Sequence, residues 1–198
     1  MPKNTDVRVG APDQKVTGAI KHAPLGTAIP TLADITKAAV TLNQAFEGDE
    51  YVSQDGLTLA PSMSTTEIKD WSGATVRKVL ESFDGTLSWT MISTNEGALS
   101  IAFGTAHVTS EAATAQHGAQ VRAALGAYLP EEQTWVFLMK DGDARIVIAV
   151  PDGQITEVGE VTFASNAAVG WQVTLSCYPD TDGNCIYIMT DDGQVTTA

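Results

Sequence analysis

The side chains with chemistry to offer are three histidines, two cysteines and a surplus of carboxylates. His22, His107 and His117 lie in separate stretches. None falls at a spacing by which paired histidines hold a metal, and none neighbours a serine or cysteine in a nucleophile motif. They read as surface or half-buried residues. Neither the dinucleotide-binding glycine fingerprint nor the phosphate-binding P-loop occurs.

Cys177 and Cys185 flank a candidate turn, Tyr178 to Asn184. A turn symmetric about Thr181 would set the two sulfurs opposite each other, within disulfide reach. A two-residue turn at Asp182-Gly183 would put them out of step. In a reducing cytoplasm they are expected as free, partly buried thiols. Without neighbouring histidines they make no zinc site.

Asp180-Thr181-Asp182-Gly183-Asn184 has the look of a calcium loop. An EF-hand, however, needs its glycine sixth and a glutamate twelfth, and here those places relative to Asp180 are wrong: Gly183 is fourth and Asp191 twelfth. The stretch reads as a hairpin tip, and Asp191-Asp192 as a polar turn. A pair of carboxylates for glycoside hydrolysis leaves no spacing signature, so an acidic-dyad hydrolase stays as a minor alternative. Aromatic content of 7% is modest for a sugar cleft. Trp71, Trp89, Trp135 and Trp171 sit on or beside alternating strands and read as core. The expectation is no cofactor, no metal and no enzyme.

The elements that must position these residues are mostly strands. Asp-Gly occurs six times, at Asp55, Asp84, Asp141, Asp152, Asp182 and Asp192, each between alternating apolar and polar residues. Asp-Gly favours two-residue hairpin turns, so the sequence reads as a string of β-hairpins. Leu87, Trp89 and Met91 share one face, as do Trp135, Phe137 and Met139. Ile146 to Val150 reads as a central strand. A short helix is expected at about residues 96–103, capped by Thr94 or Asn95 and stopped by Gly104. A second is expected over residues 31–46, where Leu32, Ile35, Ala39, Leu42 and Phe46 recur at helical spacing and Thr31 with Asp34 suggests a capping box. Residues 105–126 are read as strand. Residues 1–30 carry four prolines and three glycines; they read as an extended arm ordered by a neighbour or not at all.

The resulting fold class is mainly β: a β-sandwich or partly open barrel with a flanking α-helix, an extended N-terminal arm and long loops. The expected division is an arm over 1–50, with the possible helix, and a single β-sandwich domain over 51–198. Gln172, Thr174 and Ser176 form a polar, uncharged face opposite Trp171, Val173, Leu175 and Cys177. In the preceding strand Thr156, Val158, Glu160 and Thr162 alternate with Ile155, Glu157, Val161 and Phe163. Such sheets have one packed and one wetted side. Several copies closing into a ring would line a lumen with the wetted side and remove exposed strand edges.

The net charge of −13 and pI of about 4.4 argue against adhesive binding of nucleic acid. They are compatible with a wall past which phosphate slides, and equally with plain solubility. No apolar segment follows Met1 to Asp6 as in a signal peptide, and Ile146 to Val150 is far shorter than the about 20 residues of a membrane helix. A soluble protein made in the cytoplasm, without membrane insertion, is expected.

The ordered set of segments resembles the major tail proteins, or tail tube subunits, of long non-contractile-tailed bacteriophages, especially those of actinobacteria. The resemblance runs through Asn4 to Ala11, Val16 to Ile20 with Ala23-Pro24, Tyr51 to Leu57, Asp70 to Gly73 and Val76 to Lys78. It is strongest from Asp141 to Arg145 through Pro151 to Glu157 to Val161-Thr162-Phe163. Lys37 to Glu50 is longer than the family pattern.

The resemblance implies a non-enzymatic virion protein of the phage tail, assembled in the host cytoplasm into stacked hexameric rings. Their inner strands would form a channel for DNA delivery. Implied partners are further copies of the chain, a tape-measure protein in the channel during assembly, and tail terminator and tip proteins; DNA would pass transiently without specific binding. Expected inter-ring arm contacts are Val7, Val9, Val16, Ile20 and Leu25, with an inter-ring loop at Tyr51, Asp55 and Gly56. The inner wall is expected on strands 57–69, 74–82 and 153–163, with Thr66, Glu67, Thr156 and Glu160 facing the lumen. The competing reading is a monomeric carbohydrate- or surface-binding β-sandwich module.

Overall fold

A computed structural model describes residues 8–13, 18–48 and 50–195. In chain order the elements are β1 (Ile20–Pro24), β2 (Val52–Lys69), β3 (Thr75–Met91), α1 (Glu96–Phe103), β4 (Val108–Glu111), β5 (Gln120–Ala123), β6 (Gln133–Asp141), β7 (Ala144–Val158), β8 (Trp171–Tyr178) and β9 (Tyr187–Asp191). The main sheet is antiparallel in the order β1-β6-β7-β8-β3-β2. β9 joins it along the first half of β7, Arg145 to Ala149, while β8 takes the second half from Asp152. β4 and β5 pair separately.

The main sheet curls onto itself. Two strands separate β3 from β6, so in a flat sheet they would stand roughly 14 Å apart. Yet the Trp89 ring lies 5.6 Å from that of Trp135 and 5.4 Å from that of Phe137. The layer of β1, β6 and the first half of β7 therefore faces the layer of the second half of β7, β8, β3 and β2. β7 passes between layers at Pro151-Asp152-Gly153, where its register with β6 slips between Gln133 and Trp135. A strand that changes layers in this way makes the corner of a sandwich. Leu87, Trp89, Met91, Val173, Leu175 and Ile155 meet Trp135, Phe137, Ile148 and Val150 in one core. The curl stops short of closure: β2 and β9 are edges, and the outer side of β1 is bridged at His22 by Glu47. This is the mainly β, partly open architecture expected.

A second, smaller core explains the apolar run in β7. Val136, Val147 and Ala149 point away from the main core and are covered by Ile35, with Ile29, Val40, Leu42 and Phe46 around it. Strand residues covered on both faces must be apolar at successive positions.

The covering segment is not the helix expected over 31–46. The Thr31–Asp34 capping box is present, with the Asp34 carboxylate accepting from the Thr31 amide at 2.8 Å, but it caps only a 3₁₀ turn over Leu32–Asp34. Beyond it the carbonyls of Thr36 and Ala38, which a helix would use internally, each accept from the Arg145 guanidinium at 2.8 Å. Arg145 also pairs with Asp13, so one buried side chain holds two covering segments on the sheet. Tertiary contacts have overridden a modest local preference.

α1 forms as expected. Asn95 accepts from the Ala98 amide at 2.9 Å, Gly104 ends the helix at φ 81°, and Ala98, Leu99, Ile101, Ala102 and Phe103 are buried. The strand reading of 105–126 is met only in the short β4 and β5; Thr105–His107 is a 3₁₀ turn and residues 112–119 form the connection.

Of the six Asp-Gly pairs, one closes a hairpin of adjacent strands: Asp141 pairs with Ala144 across Gly142, whose φ is 60°. Asp84-Gly85 and Asp152-Gly153 lie inside β3 and β7, and Asp55-Gly56 forms an irregularity in β2. The hairpin expected at Asp182-Gly183 is instead an excursion. β8 and β9 run in the same direction along β7, and residues 179–186 loop out between them. Cys177 and Cys185 flank that loop as free thiols.

Candidate assembly surfaces

The two longest strands, β2 and β3, leave the body of the protein. β3 is paired with β8 only from Gly85 to Met91; before Gly85 its sole strand partner is β2. The two continue as an isolated ribbon for roughly 30 Å, at about 3.3 Å per residue. Every residue from Ala60 to Asp84 is exposed. The ribbon turns at Asp70-Trp71-Ser72-Gly73. Asp70 Oδ1 accepts from the Ser72 and Ala74 amides, both at 2.9 Å, and from the Ser72 hydroxyl at 2.6 Å. These bonds, the Ser72 hydroxyl first, hold the Asp70 carboxyl below the usual range. Gly73 takes φ 86°, a left-handed geometry that glycine adopts without strain. Trp71 caps the ribbon with its side chain wholly in solvent.

The ribbon carries apolar side chains past the end of the core. Met63 pairs with Phe83, on the face that continues from Leu59 and Leu87, and they are 68% and 38% exposed. Leu80 follows after a bulge at Glu81, which accepts from Thr66. Lys69, Arg77 and Lys78 gather near the tip; Lys78 lies 3.1 Å from Glu67.

The face of β3 and β8 away from the core is polar. Register stacks Thr86 beside Ser176 and then Gln154, and Ser88 beside Thr174 and then Glu157; Thr90 lies beside Gln172. A bulge between Ile155 and Glu157 adds Thr156, whose hydroxyl lies 2.7 Å from that of Ser176. The bulge shifts the alternation read from sequence. Val158 pairs with Val173 and packs against the core, and Glu157 falls beside Thr174 on the wetted side.

The residues expected at contacts are dispersed. Val7 and Val16 lie outside the described residues. Val9 is exposed, its amide donating to Asp141 at 3.0 Å. Ile20 is in β1, opposite Phe137 and buried in the subunit's own core, so it has no free surface to offer a neighbour. Leu25 and Tyr51 are exposed. The Tyr51 amide donates to Ser93 at 2.9 Å, and Asp55 and Gly56 form the β2 irregularity. Thr66 and Glu67 lie on the projecting ribbon, Thr156 on the polar face, and Glu160 just past β7, exposed. The element that sequence reading undervalued is the ribbon tip. Its signal was Asp70-Trp71-Ser72-Gly73, where a turn was legible but the lack of cover on both flanks was not.

The three histidines, Asp180 and Cys177 have structural surroundings that account for them. His22 packs on Trp135 at 5.3 Å, and burial lowers its pKa, with Glu47 opposing. His107 stacks on Tyr128, and His117 Nδ1 lies 2.8 Å from the Gly118 carbonyl. Asp180 is held low, first by the Tyr187 hydroxyl and then by the Asn184 amide, consistent with a self-contained turn. Burial pushes the Cys177 thiol up to about 12. Among the described residues, no group of three or more His, Cys, Asp or Glu is placed to hold a metal. No helix there is long and apolar enough to cross a membrane.

No curated protein matches the chain. Among solved structures it is similar to the tube-terminating cap of the anti-feeding prophage, at 13% identity and a TM-score of 0.46, covering 76% of this chain and 86% of that one. It is similar to a chain of the native gene transfer agent virion, at 11% identity, a TM-score of 0.39 and coverage of 75% and 92%. A chain from the tail of the empty gene transfer agent particle, refined with C6 symmetry, gives 11% identity, a TM-score of 0.40 and coverage of 89% and 93%. The model of the phage tail tube protein family matches residues 3–198, and the chain belongs to that family of structural virion tail proteins.

Proposed function

We propose that the protein polymerises into stacked hexameric rings forming the tail tube, through which DNA is delivered to the host. The observation that carries this reading is the projecting β2–β3 ribbon. A two-stranded ribbon alone in water is marginally stable. This one leaves Met63, Phe83, Leu80 and Trp71 uncovered. A second copy supplies the missing cover, and the free edges of β2 and β9 supply backbone partners within a ring. The number six comes from the family resemblance.

In this arrangement the hydroxyl and amide side chains of Thr86, Ser88, Thr90, Gln172, Thr174 and Ser176 line the lumen. They solvate DNA without fixed positive charge, and Glu157 adds repulsion toward phosphate. Thr156 belongs to this wall, whereas Thr66 and Glu67 serve the ribbon. Ring stacking falls mainly to the ribbon, supplemented by the exposed Val9, Leu25, Tyr51 and Asp55. The tape-measure protein occupies the lumen during assembly in the host cytoplasm, and terminator and tip proteins close the ends.

Negative-stain imaging of the concentrated protein, alongside a variant with residues 64–81 replaced by a two-residue turn, tests the reading. Tubes from the wild type and folded, non-polymerising subunits from the variant are expected. A wild type that stays solitary at every concentration, and is absent from virion tails, would overturn it.

A further inference from the structure

We propose that Trp71 of one subunit seats in an aromatic groove at the opposite end of a second copy of this chain. The proposal rests on the tube reading above and names the contact that joins successive subunits.

The groove, of about 550 Å³, runs between α1, β5 and the stretch after β7, and is lined by Leu99, Phe103, Leu125, Val158, Phe163 and Trp171 among others. Phe103 and Phe163 both stand edge-on to Trp171, at 5.7 Å and 6.4 Å between ring centroids. Phe163 and Leu125 are 75% and 71% exposed although they border buried Leu99 and Phe103. The Trp171 N–H is already taken by the Thr94 hydroxyl at 3.2 Å, so the groove presents ring edges and faces. Aromatic side chains favour such offset and edge-on neighbours, and an indole brings a large apolar area to them.

Position selects the occupant. Trp171 pairs with Met91, the last residue of β3, and Val158 pairs with Val173 two residues further along. The groove thus lies at the end of β3 where the strand finishes. Trp71 lies beyond the end where β3 begins. A knob and a hole at opposite ends of one strand cannot meet within a subunit. They meet head to tail between subunits, and such a contact repeats without closing on itself, which generates a filament.

Charge points the same way. The chain has 11 Lys and Arg against 24 Asp and Glu, yet the ribbon tip carries Lys69, Arg77 and Lys78 against Glu67 and Asp70, which leaves it slightly positive. Exposed Glu160 stands at the groove, between the groove-lining Gly159 and Val161. A slightly positive tip bearing an indole therefore faces an aromatic receptor flanked by a carboxylate, a pairing that also favours one polarity.

The test uses Ser72→Cys and Thr162→Cys, exposed neighbours of Trp71 and Phe163 that leave both aromatic groups in place, in a Cys185→Ser background. The two single variants are mixed, polymerised and oxidised. The expected result is a disulfide-linked dimer in tubes from the mixture, and a covalent ladder when one chain carries both cysteines. Tubes that form without the link overturn this contact while leaving the tube reading intact. A wild type that forms no tubes overturns both. A second measurement is the critical concentration for polymerisation. Trp71→Ala should raise it by about tenfold or more, and Trp71→Phe by clearly less, as for a central aromatic anchor. An unchanged value for Trp71→Ala also overturns the contact.

Discussion

Arg145 and Asp13 form an ion pair across 132 residues of sequence, with only 3% of the arginine side chain in contact with solvent. The same guanidinium donates to the carbonyls of Thr36, Lys37 and Ala38. It anchors both stretches that lie against the second face of β6 and β7. Replacing it with Met strands Asp13 and those carbonyls without their donor. Arg145→Met should cost about 3–5 kcal/mol, as when one partner is removed from a buried pair. Urea unfolding measures this, and Asp13→Asn should cost less because the three carbonyl bonds remain.

Gly153 sits where β7 crosses between layers. A Cβ there would meet Leu175 Cδ1 at 3.0 Å, and Trp135 Cδ1 and Val150 Cγ1 at 3.1 Å. Gly153→Ala therefore overpacks the corner and should lower stability by about 1–3 kcal/mol. A melt showing no loss would mean that the corner relaxes.

His22 gives the fold a pH dependence in the mildly acidic range. Burial against Trp135 lowers its folded pKa below the ordinary 6.5, while Glu47 and a hydrogen bond with Gln133 oppose this and Lys21 reinforces it. The unfolded chain thus takes up the proton first. The stabilisation is full above pH 6.5 and declines as pH falls from there toward the folded pKa. Chemical denaturation between pH 7.5 and 5 should show this decline, and His22→Phe should flatten it. Lowered carboxylates such as Asp70 and Asp180 act only at lower pH, near and below 3.8.

The polar face of β2, β3 and β8 should tolerate new charge as far as folding goes. Thr58 and Gln172 are exposed there, so Thr58→Arg with Gln172→Arg should leave subunit stability within about 0.5 kcal/mol per site. Tubes of this variant should retain DNA in a salt-dependent way, whereas wild-type tubes release it. Filter binding across a salt series reads the difference; equal retention would remove this face from the lumen.

The two thiols should differ in reactivity. Cys177 is buried with its pKa at about 12, while Cys185 is half exposed and less strongly raised. At pH 8 iodoacetamide should modify Cys185 first and Cys177 only on unfolding, which peptide mass mapping can score.

Much of the fold follows from local rules alone. Period-two alternation placed Leu87, Trp89 and Met91 on one face, and the Asn95 cap with the Gly104 stop bounded α1, because these signals depend on neighbours within a few residues. The ordered segments from Asn4 to Phe163 likewise carry the resemblance to the tail tube family. What tertiary structure decided was everything that depends on a distant partner. Arg145 turned an expected helix into a covering loop. A bulge at Thr156 moved Glu157 to the wetted side. β7 served as a continuous rail on which β8 and β9 run in the same direction, so Cys177 and Cys185 flank a loop rather than facing across a hairpin. The ribbon of β2 and β3 reads in sequence like any other pair of strands. Its bareness arises only because β8 stops at Tyr178, and where a neighbouring strand ends is set by the whole chain's packing, not by the residues of the ribbon.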